Sequence, residues 1–202
     1  MRGIAGLLPP LDGTVTLGPT VSRTAYLPQV TAVDRSFPVD VTQFVSLGLW
    51  REIGLFGRIA GTHRRRIREA IDRVGLHGYE RRAIDSLSGG QLARALFARL
   101  MVQDADLLLL DEPFAAIDQQ SAEALCSLLA EWSREGRTIL AVLHDLAQVR
   151  SHFPRTLLLA REMVAWGPTA NVLTPEQLAR VVQLAAFDQD AEWCATPGTE
   201  AA

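Results

Sequence analysis

The run of four leucines, Leu107–Leu110, places the strongest limit on how this chain can fold. Four consecutive apolar residues without polar alternation indicate a strand buried on both faces, as in a parallel sheet covered by helices. Asp111 and Glu112 follow directly, and Pro113 ends the strand. Open α/β sheets bind ligands at the carboxyl ends of their strands, so these two carboxylates predict a functional site.

A second candidate site lies upstream, in the segment Ser88–Gln91 with sequence SGGQ. Ser followed three residues later by Gln, just before an apolar-periodic run, is a capping-box pattern that predicts the start of a helix. The glycines between them leave the backbone N–H groups of the first turn uncovered. A helix N-terminus of this kind favours binding of an anion such as phosphate.

Each site taken alone has an ordinary structural interpretation, as a flexible turn or a solvated loop. Their combination, joined by one helix, favours function. On these residues the chain resembles the ATP-binding subunit of ABC transporters. Leu87–Gln91 is similar to the family signature LSGGQ, Leu107–Pro113 to Walker B with its catalytic glutamate, and Ala115–Asp118 to the D-loop.

One motif of that family is absent from the chain. All 20 of its Lys and Arg residues are Arg, whereas a P-loop requires the Lys of G-x-x-x-x-G-K-[ST]. Gly13–Thr20 has the glycine spacing, but Pro19 stands where Lys should be, so we interpret it as strand and turn. In the family, a short apolar segment resembling Ile4–Leu8 ends the helix after the P-loop. We therefore expect an N-terminally truncated cassette that begins inside this helix.

The composition favours a soluble globular protein. Apolar residues make up 48% of the chain and the formal charge is −3, which argues against nucleic-acid binding. The basic run His63–Glu69 could contact nucleic acid or lipid, but a stripe of apolar residues at helical spacing predicts that its arginines lie on the solvent-exposed face of a helix. That stripe consists of Ile67, Ala70, Ile71 and Val74. Cys126 and Cys194 are isolated in the sequence, so nothing suggests disulfides. No apolar run approaches the roughly 18 residues that a membrane helix needs. These features predict a cytoplasmic location.

The resemblance implies an α/β fold, with a P-loop NTPase-like (RecA-like) core sheet and an inserted helical subdomain. We expect the ATP-binding domain to cover residues 1–187, with the core in 1–33 and 105–187 and the helical subdomain in 34–104. Residues 188–202 are acidic and small, which predicts a disordered tail.

Local patterns predict further elements of the core. Alternating residues indicate strands over Thr14–Leu17 and Val21–Leu27, and Thr138–Leu143 is typical of a second buried strand. Thr156–Leu159 and Met163–Trp166 predict two more strands, broken by Gly167 and Pro168. Thr174, with Pro175 and Gln177 after it, predicts a helix start.

The resemblance assigns a role to each candidate site residue. Asp111 and the Q-loop residue Gln29 would hold Mg²⁺, Glu112 would act as general base, and His144 would be the switch histidine that contacts the γ-phosphate. Gln29 is otherwise an ordinary loop residue, and a His at a strand end is often structural. The ATP-binding residues would be Ser88, Gly89, Gly90, Gln91 and Asp118.

The implied function is ATP hydrolysis in a head-to-tail dimer with a second ATP-binding subunit, which drives a transmembrane permease from the inner face of the membrane. Phe37–Val41 and Asp111–Asp118 most resemble the zinc, manganese and iron importer branch. Without a P-loop we expect the chain to be inactive alone. It could instead be a non-catalytic partner that lends its LSGGQ to an intact subunit. The short interval from Gln29 to the signature and the single cassette disfavour DNA-repair and translation relatives.

Overall fold

The structure is a computed structural model that describes residues 1–54 and 57–193. The chain forms two compact units, Met1–His144 and Asp145–Ala202. In the first unit the strands are β1 (Thr24–Leu27), β2 (Leu107–Asp111) and β3 (Thr138–Val142), and the helices are α1 (Val41–Ser46), α2 (Trp50–Ile53), α3 (Gly61–Arg73), α4 (Gly89–Gln103) and α5 (Gln119–Arg134). Short 3-10 helices cover Val30–Ala32, Leu47–Leu49 and Ile84–Ser86.

A parallel sheet with strand order β1-β2-β3 forms the centre of the first unit. Leu27 of β1 is in register with Leu110, and Asp111 at the end of β2 is in register with Val142. Leu108, Leu109 and Leu110 are 0% exposed. The expected strand buried on both faces is therefore confirmed, and it lies between the other two strands.

The other two strands differ in part from the sequence expectation. β3 is at an edge of the three-stranded sheet and is only half-buried, so the prediction of a second fully buried strand is wrong. Residues 14–17 form no strand, because they pair with no neighbour and Val15 and Leu17 remain exposed. β1 begins only at Thr24, where pairing with β2 begins. Residues 2–6, where the end of a helix is expected, form turns.

The helices of the first unit follow the sequence closely. Ile67, Ala70, Ile71 and Val74 of the α3 stripe are all buried, which leaves Arg64, Arg65 and Arg68 exposed as predicted. The helix ends where Gly75 adopts a φ of 71°, and its left-handed conformation lets the Leu76 N–H donate to the Ile71 carbonyl. α4 buries Leu92, Leu96, Phe97 and Leu100. Cys126 of α5 is a buried free thiol.

The second unit contains α6 (Leu146–His152), a hairpin, α7 (Thr169–Val172) and α8 (Pro175–Trp193). The antiparallel hairpin consists of β4 (Arg155–Ala160) and β5 (Glu162–Pro168), so the second strand continues through Gly167 and Pro168 instead of breaking there. The Gln177 N–H donates to Thr174 Oγ1 at 3.3 Å, which confirms the predicted helix start.

The end of α8 corrects the predicted tail. Residues 188–193 are helical, because the Ala, Gln and Glu residues of this segment continue the helix that Pro175 begins. The rest of the predicted tail, 194–202, lies outside the described residues. Of the helices in the described part of the chain, none has the length and apolar character needed to cross a bilayer.

Candidate functional site

The signature segment opens α4 with the predicted capping box. The Gln91 N–H donates to Ser88 Oγ at 3.2 Å, and the Ser88 N–H donates to Gln91 Oε1 at 3.0 Å. Gln91 Nε2 also donates to the Tyr79 hydroxyl at 3.3 Å, so the helix start is tied to the loop after α3. Ser88 itself is exposed. The arrangement leaves the first turn of α4 accessible to a ligand.

The two glycines of the signature lie against the D-loop segment of the same chain. A Cβ on Gly89 would lie 3.2 Å from Ala116 Cβ, and a Cβ on Gly90 would lie 2.9 Å from the Ala116 carbonyl oxygen. A side chain on Gly90 would therefore push the two segments apart. The lack of side chains at these glycines has two effects. It leaves the backbone N–H groups of the first turn of α4 uncovered, and it allows the segment that follows β2 to approach closely.

At the carboxyl end of the sheet, Asp111 accepts a hydrogen bond from the Tyr26 hydroxyl at 3.1 Å. Tyr26 lies on the neighbouring strand β1. Burial raises the pKa of Tyr26, and a hydrogen bond with Arg2 opposes that increase while Asp111 adds to it. The neutral Tyr26 hydroxyl therefore orients the Asp111 carboxylate. No sequence pattern identified Tyr26 as a site residue.

Glu112 follows in a left-handed backbone conformation with a φ of 46°. This conformation is uncommon for a residue with a side chain and costs about 1–3 kcal/mol. The Glu112 N–H donates to the Val142 carbonyl at 3.1 Å, which continues the β2–β3 ladder by one bond. The carboxylate Oε2 then lies 3.9 Å from His144 Nδ1. The side chains of Glu112 and His144 are 33% and 71% exposed, so both are accessible to a reactant.

Gln29 lies at the carboxyl end of β1, next to the end of β2. It precedes the 3-10 helix Val30–Ala32, and its carbonyl accepts from the Ala32 N–H at 2.9 Å. Its amide makes no hydrogen bond to another residue in the described part of the chain. The fold thus brings Gln29 to the same edge of the sheet as Asp111, without a hydrogen bond between these two described residues.

Asp118 caps the next helix. Its carboxylate accepts from the Ser121 N–H at 2.9 Å at the start of α5. The bonds from Ser121 hold the pKa of Asp118 below its ordinary value, and Arg94 makes a smaller contribution. The cap is a local structural role, and the exposed carboxylate also remains open to a partner.

The signature and the carboxylates are joined through one buried aromatic pair. Phe97 of α4 and Phe114, two residues after Glu112, stack with ring centroids 6.0 Å apart. Phe97 is 0% exposed and Phe114 is 5% exposed. This packing ties α4 to the 112–118 segment, which also contacts Gly89 and Gly90. The predicted site residues Glu112 and Asp118 are therefore the two ends of one segment, and the signature residues Ser88–Gln91 lie beside it.

Comparison of the sequence with known protein families identifies one match. The family described as ABC transporter matches residues 1–115, which is more than half of the chain. The chain belongs to the ABC transporter family. The ABC family binds ATP, and the match includes the signature and the end of β2. The predicted fold class and resemblance are confirmed.

Two relatives support the ABC assignment at high coverage. The manganese transport system ATP-binding protein MntB of Halalkalibacterium halodurans is 41% identical over 170 residues, covering 83% of this chain and 68% of the relative. The zinc transport system ATP-binding protein TroB of Treponema pallidum is 40% identical over 185 residues, covering 89% of this chain and 70% of the relative.

Solved structures agree with the ABC fold. One is the inward-facing conformation of a metal-chelate type ABC transporter, with a TM-score of 0.78 and 27% identity over 90% of this chain and 71% of that chain. An ATP-binding cassette bound to ADP and phosphate has a TM-score of 0.63 and 23% identity, over 73% of this chain and 63% of that chain, and shows the fold alone.

Proposed function

We propose that this chain is the ATP-binding and ATP-hydrolysing subunit of an ABC importer for a metal ion. The observation that carries the proposal is the contact of Gly89 and Gly90 with Ala116. This contact sets the signature helix beside the segment that begins with the carboxylates of β2. The names of the manganese and zinc transport relatives support a metal-ion cargo.

In this proposal Glu112 is the general base. A carboxylate can accept a proton from water only if it is exposed to the reactant and within hydrogen-bond reach of it. Glu112 is partly exposed, with 33% of its side chain accessible, which meets the first of these conditions. The imidazole of His144, 3.9 Å away, would stabilise charge on the γ-phosphate beside that water.

The donor set at the strand ends fits Mg²⁺. This ion prefers oxygen ligands, which the Asp111 carboxylate and the Gln29 amide oxygen would supply. Bound there, Mg²⁺ would neutralise charge on the phosphates during phosphoryl transfer. The Tyr26 hydroxyl occupies one lone pair of Asp111 and so limits the directions in which its carboxylate can bind.

Ser88, Gly89, Gly90 and Gln91 would bind phosphate oxygens of an ATP held by a second subunit. The exposed N–H groups and the positive end of the α4 dipole are attractive to such an anion. Asp118 would contact that second subunit. The 202 residues contain no Lys, so this chain does not supply a Walker A lysine. We therefore propose a head-to-tail pair with a P-loop-bearing subunit, docked on a permease at the inner face of the membrane.

A second candidate follows from the same absence of Lys. The chain would be a non-catalytic partner that lends its signature to an intact subunit, while its own carboxylates face no complete ATP site. The capping box at Ser88 supports this candidate as it supports the first, because the signature geometry is formed within α4 itself.

One experiment tests the proposal and separates the candidates. ATP turnover is measured for the chain alone and after co-expression with a P-loop-bearing ATP-binding subunit. We expect turnover at background for the chain alone and clear turnover for the pair. Ser88→Ala in this chain should abolish turnover of the pair, while Ser133→Ala, an exposed serine of α5, serves as the matched control.

Glu112→Gln distinguishes the two candidates. Loss of turnover in the pair would mean that this chain's own carboxylate catalyses, whereas unchanged turnover would mean that it supplies only the signature. Glu123→Gln, an exposed glutamate of α5, is the matched control. A pair that hydrolyses ATP equally well with either the Ser88 or the Glu112 substitution would refute both candidates.

A further inference from the structure

A cleft of about 580 Å³ lies in the first unit, between the end of α3, the middle of α4 and the outer face of α5. Three arginines line it, one from each helix: Arg73, Arg94 and Arg134. We call it the arginine cleft. None of the signature residues Ser88–Gln91 is among its lining residues. It is therefore distinct from the signature part of the site proposed for ATP.

The positive charge of the arginine cleft is only partly neutralised. Arg73 forms an ion pair with Glu131, which also lines the cleft. Arg134 makes no hydrogen bond and no ion pair with any other described residue. The guanidinium groups of Arg94 and Arg134 thus have no carboxylate bonded to them among the described residues. The charge of Arg94 makes only a small electrostatic contribution at Asp118.

Arg94 has hydrogen-bonding capacity that the protein does not use. Its Nη1 donates to the Gly75 carbonyl at 3.3 Å. Its Nη2 makes no hydrogen bond to another residue in the described part of the chain, so this group can donate to a ligand. Arginine matches the geometry of phosphate and carboxylate groups, to which it donates two parallel bonds.

We propose that the arginine cleft binds a small polyanion with two or more phosphate or carboxylate groups, held by Arg94 and Arg134. The volume is within the range of small-molecule sites. Leu125 and Leu128 of α5 contribute apolar wall, which suits a compact ligand with a carbon or ring portion. The ligand is identified by this chemistry, and phosphate and carboxylate sources are separated by the test.

Binding in the arginine cleft would reach the D-loop through the first turn of α5. Gln120 and Ser121 line the cleft, and the Ser121 N–H donates to the Asp118 carboxylate at 2.9 Å. A ligand in the cleft would lie against the residue that Asp118 caps. The cleft is therefore placed to alter the D-loop without occupying the ATP site.

The test is isothermal titration calorimetry of the purified full chain with pyrophosphate and, separately, with citrate. We expect saturable binding of at least one of them. Arg134→Glu should weaken it tenfold or more, because a charged donor becomes a repelling carboxylate. Arg68→Glu makes the same charge change on the exposed face of α3, outside the cleft, and should leave the dissociation constant within twofold.

Further variants keep each outcome informative. Arg134→Gln removes the charge without repulsion and is used if the glutamate variant does not fold. Ser88→Ala tests whether the anion binds to the signature helix instead, and we expect no change in affinity. The proposal is overturned if neither probe binds at concentrations up to about 10 mM. It is also overturned if Arg134→Glu and Arg68→Glu bind the probe equally well, or if Ser88→Ala abolishes binding. Binding of pyrophosphate alone identifies phosphate as the ligand group, and binding of citrate alone identifies carboxylate.

Discussion

Substitution of Gly90 by Ala tests the contact between the signature and the D-loop segment most sharply. The added Cβ would lie 2.9 Å from the Ala116 carbonyl oxygen, a backbone atom that cannot rotate away. Overpacking of this kind costs about 1–3 kcal/mol, whereas Ala in place of Gly in a helix gains up to about 1 kcal/mol. We therefore expect Gly90→Ala to destabilise the first unit by about 0–2 kcal/mol.

Gly61→Ala is the matched control for this substitution. Gly61 also lies in the first turn of a helix, α3, and a Cβ there meets nothing within 4 Å. It should stabilise by about 0.5–1 kcal/mol, so the two variants should differ by about 1–3 kcal/mol. Urea unfolding followed by circular dichroism measures both. Equal stabilisation by the two substitutions would refute the close approach of Gly90 to Ala116.

Three further predictions concern single side chains. Burial raises the pKa of Cys126 to about 11, so in a Cys194→Ser background the thiol should react with a disulfide reagent at pH 8 only after unfolding. Prompt reaction in the native state would contradict its burial. Tyr26→Phe should lower the free energy of unfolding by about 1 kcal/mol, because the hydrogen bond to Asp111 is lost. Urea unfolding measures this change, and an unchanged free energy would mean that the bond does not form. The pKa of Asp118 is lowered from its ordinary value of 3.8. Its stabilising effect is therefore complete above that value and lost as the pH falls through the lower folded-state pKa. Asp118→Asn keeps an N-cap residue but removes this titration. An acid-unfolding curve that Asp118→Asn leaves unchanged would count against the lowered pKa of Asp118.

Features governed by neighbouring residues in the sequence could be predicted well. The Ser88–Gln91 capping box, the buried stripe of α3 and the Gly75 helix end all depend on contacts within a few residues. The buried strand Leu107–Leu110 was predictable for a related reason, since its composition suits only a strand covered on both faces. These local features carried the resemblance to the ABC family.

Features that depend on distant partners could not be predicted. The exposure of β3 follows from its position at the edge of the sheet, which its apolar sequence does not reveal. Residues 14–17 alternate like a strand but have no partner strand. Tyr26 lies beside Asp111 only because β1 pairs with β2.

The arginine cleft shows the same limitation. Its three arginines come from separate helices, and in the sequence each is one basic residue among many. The bond from the Glu112 N–H to the Val142 carbonyl likewise joins two strands that are distant in the sequence. The predicted roles of Gln29, His144 and the signature residues in ATP hydrolysis stay predictions.

The most direct test of the account is calorimetric titration of Mg²⁺-ATP, first into the 202-residue chain alone and then into its equimolar mixture with a P-loop-bearing subunit. The account predicts no saturable binding to the chain alone, and binding to the mixture that Ser88→Ala in this chain weakens. Tight binding to the chain alone, or binding to the mixture that is indifferent to Ser88→Ala, would contradict it.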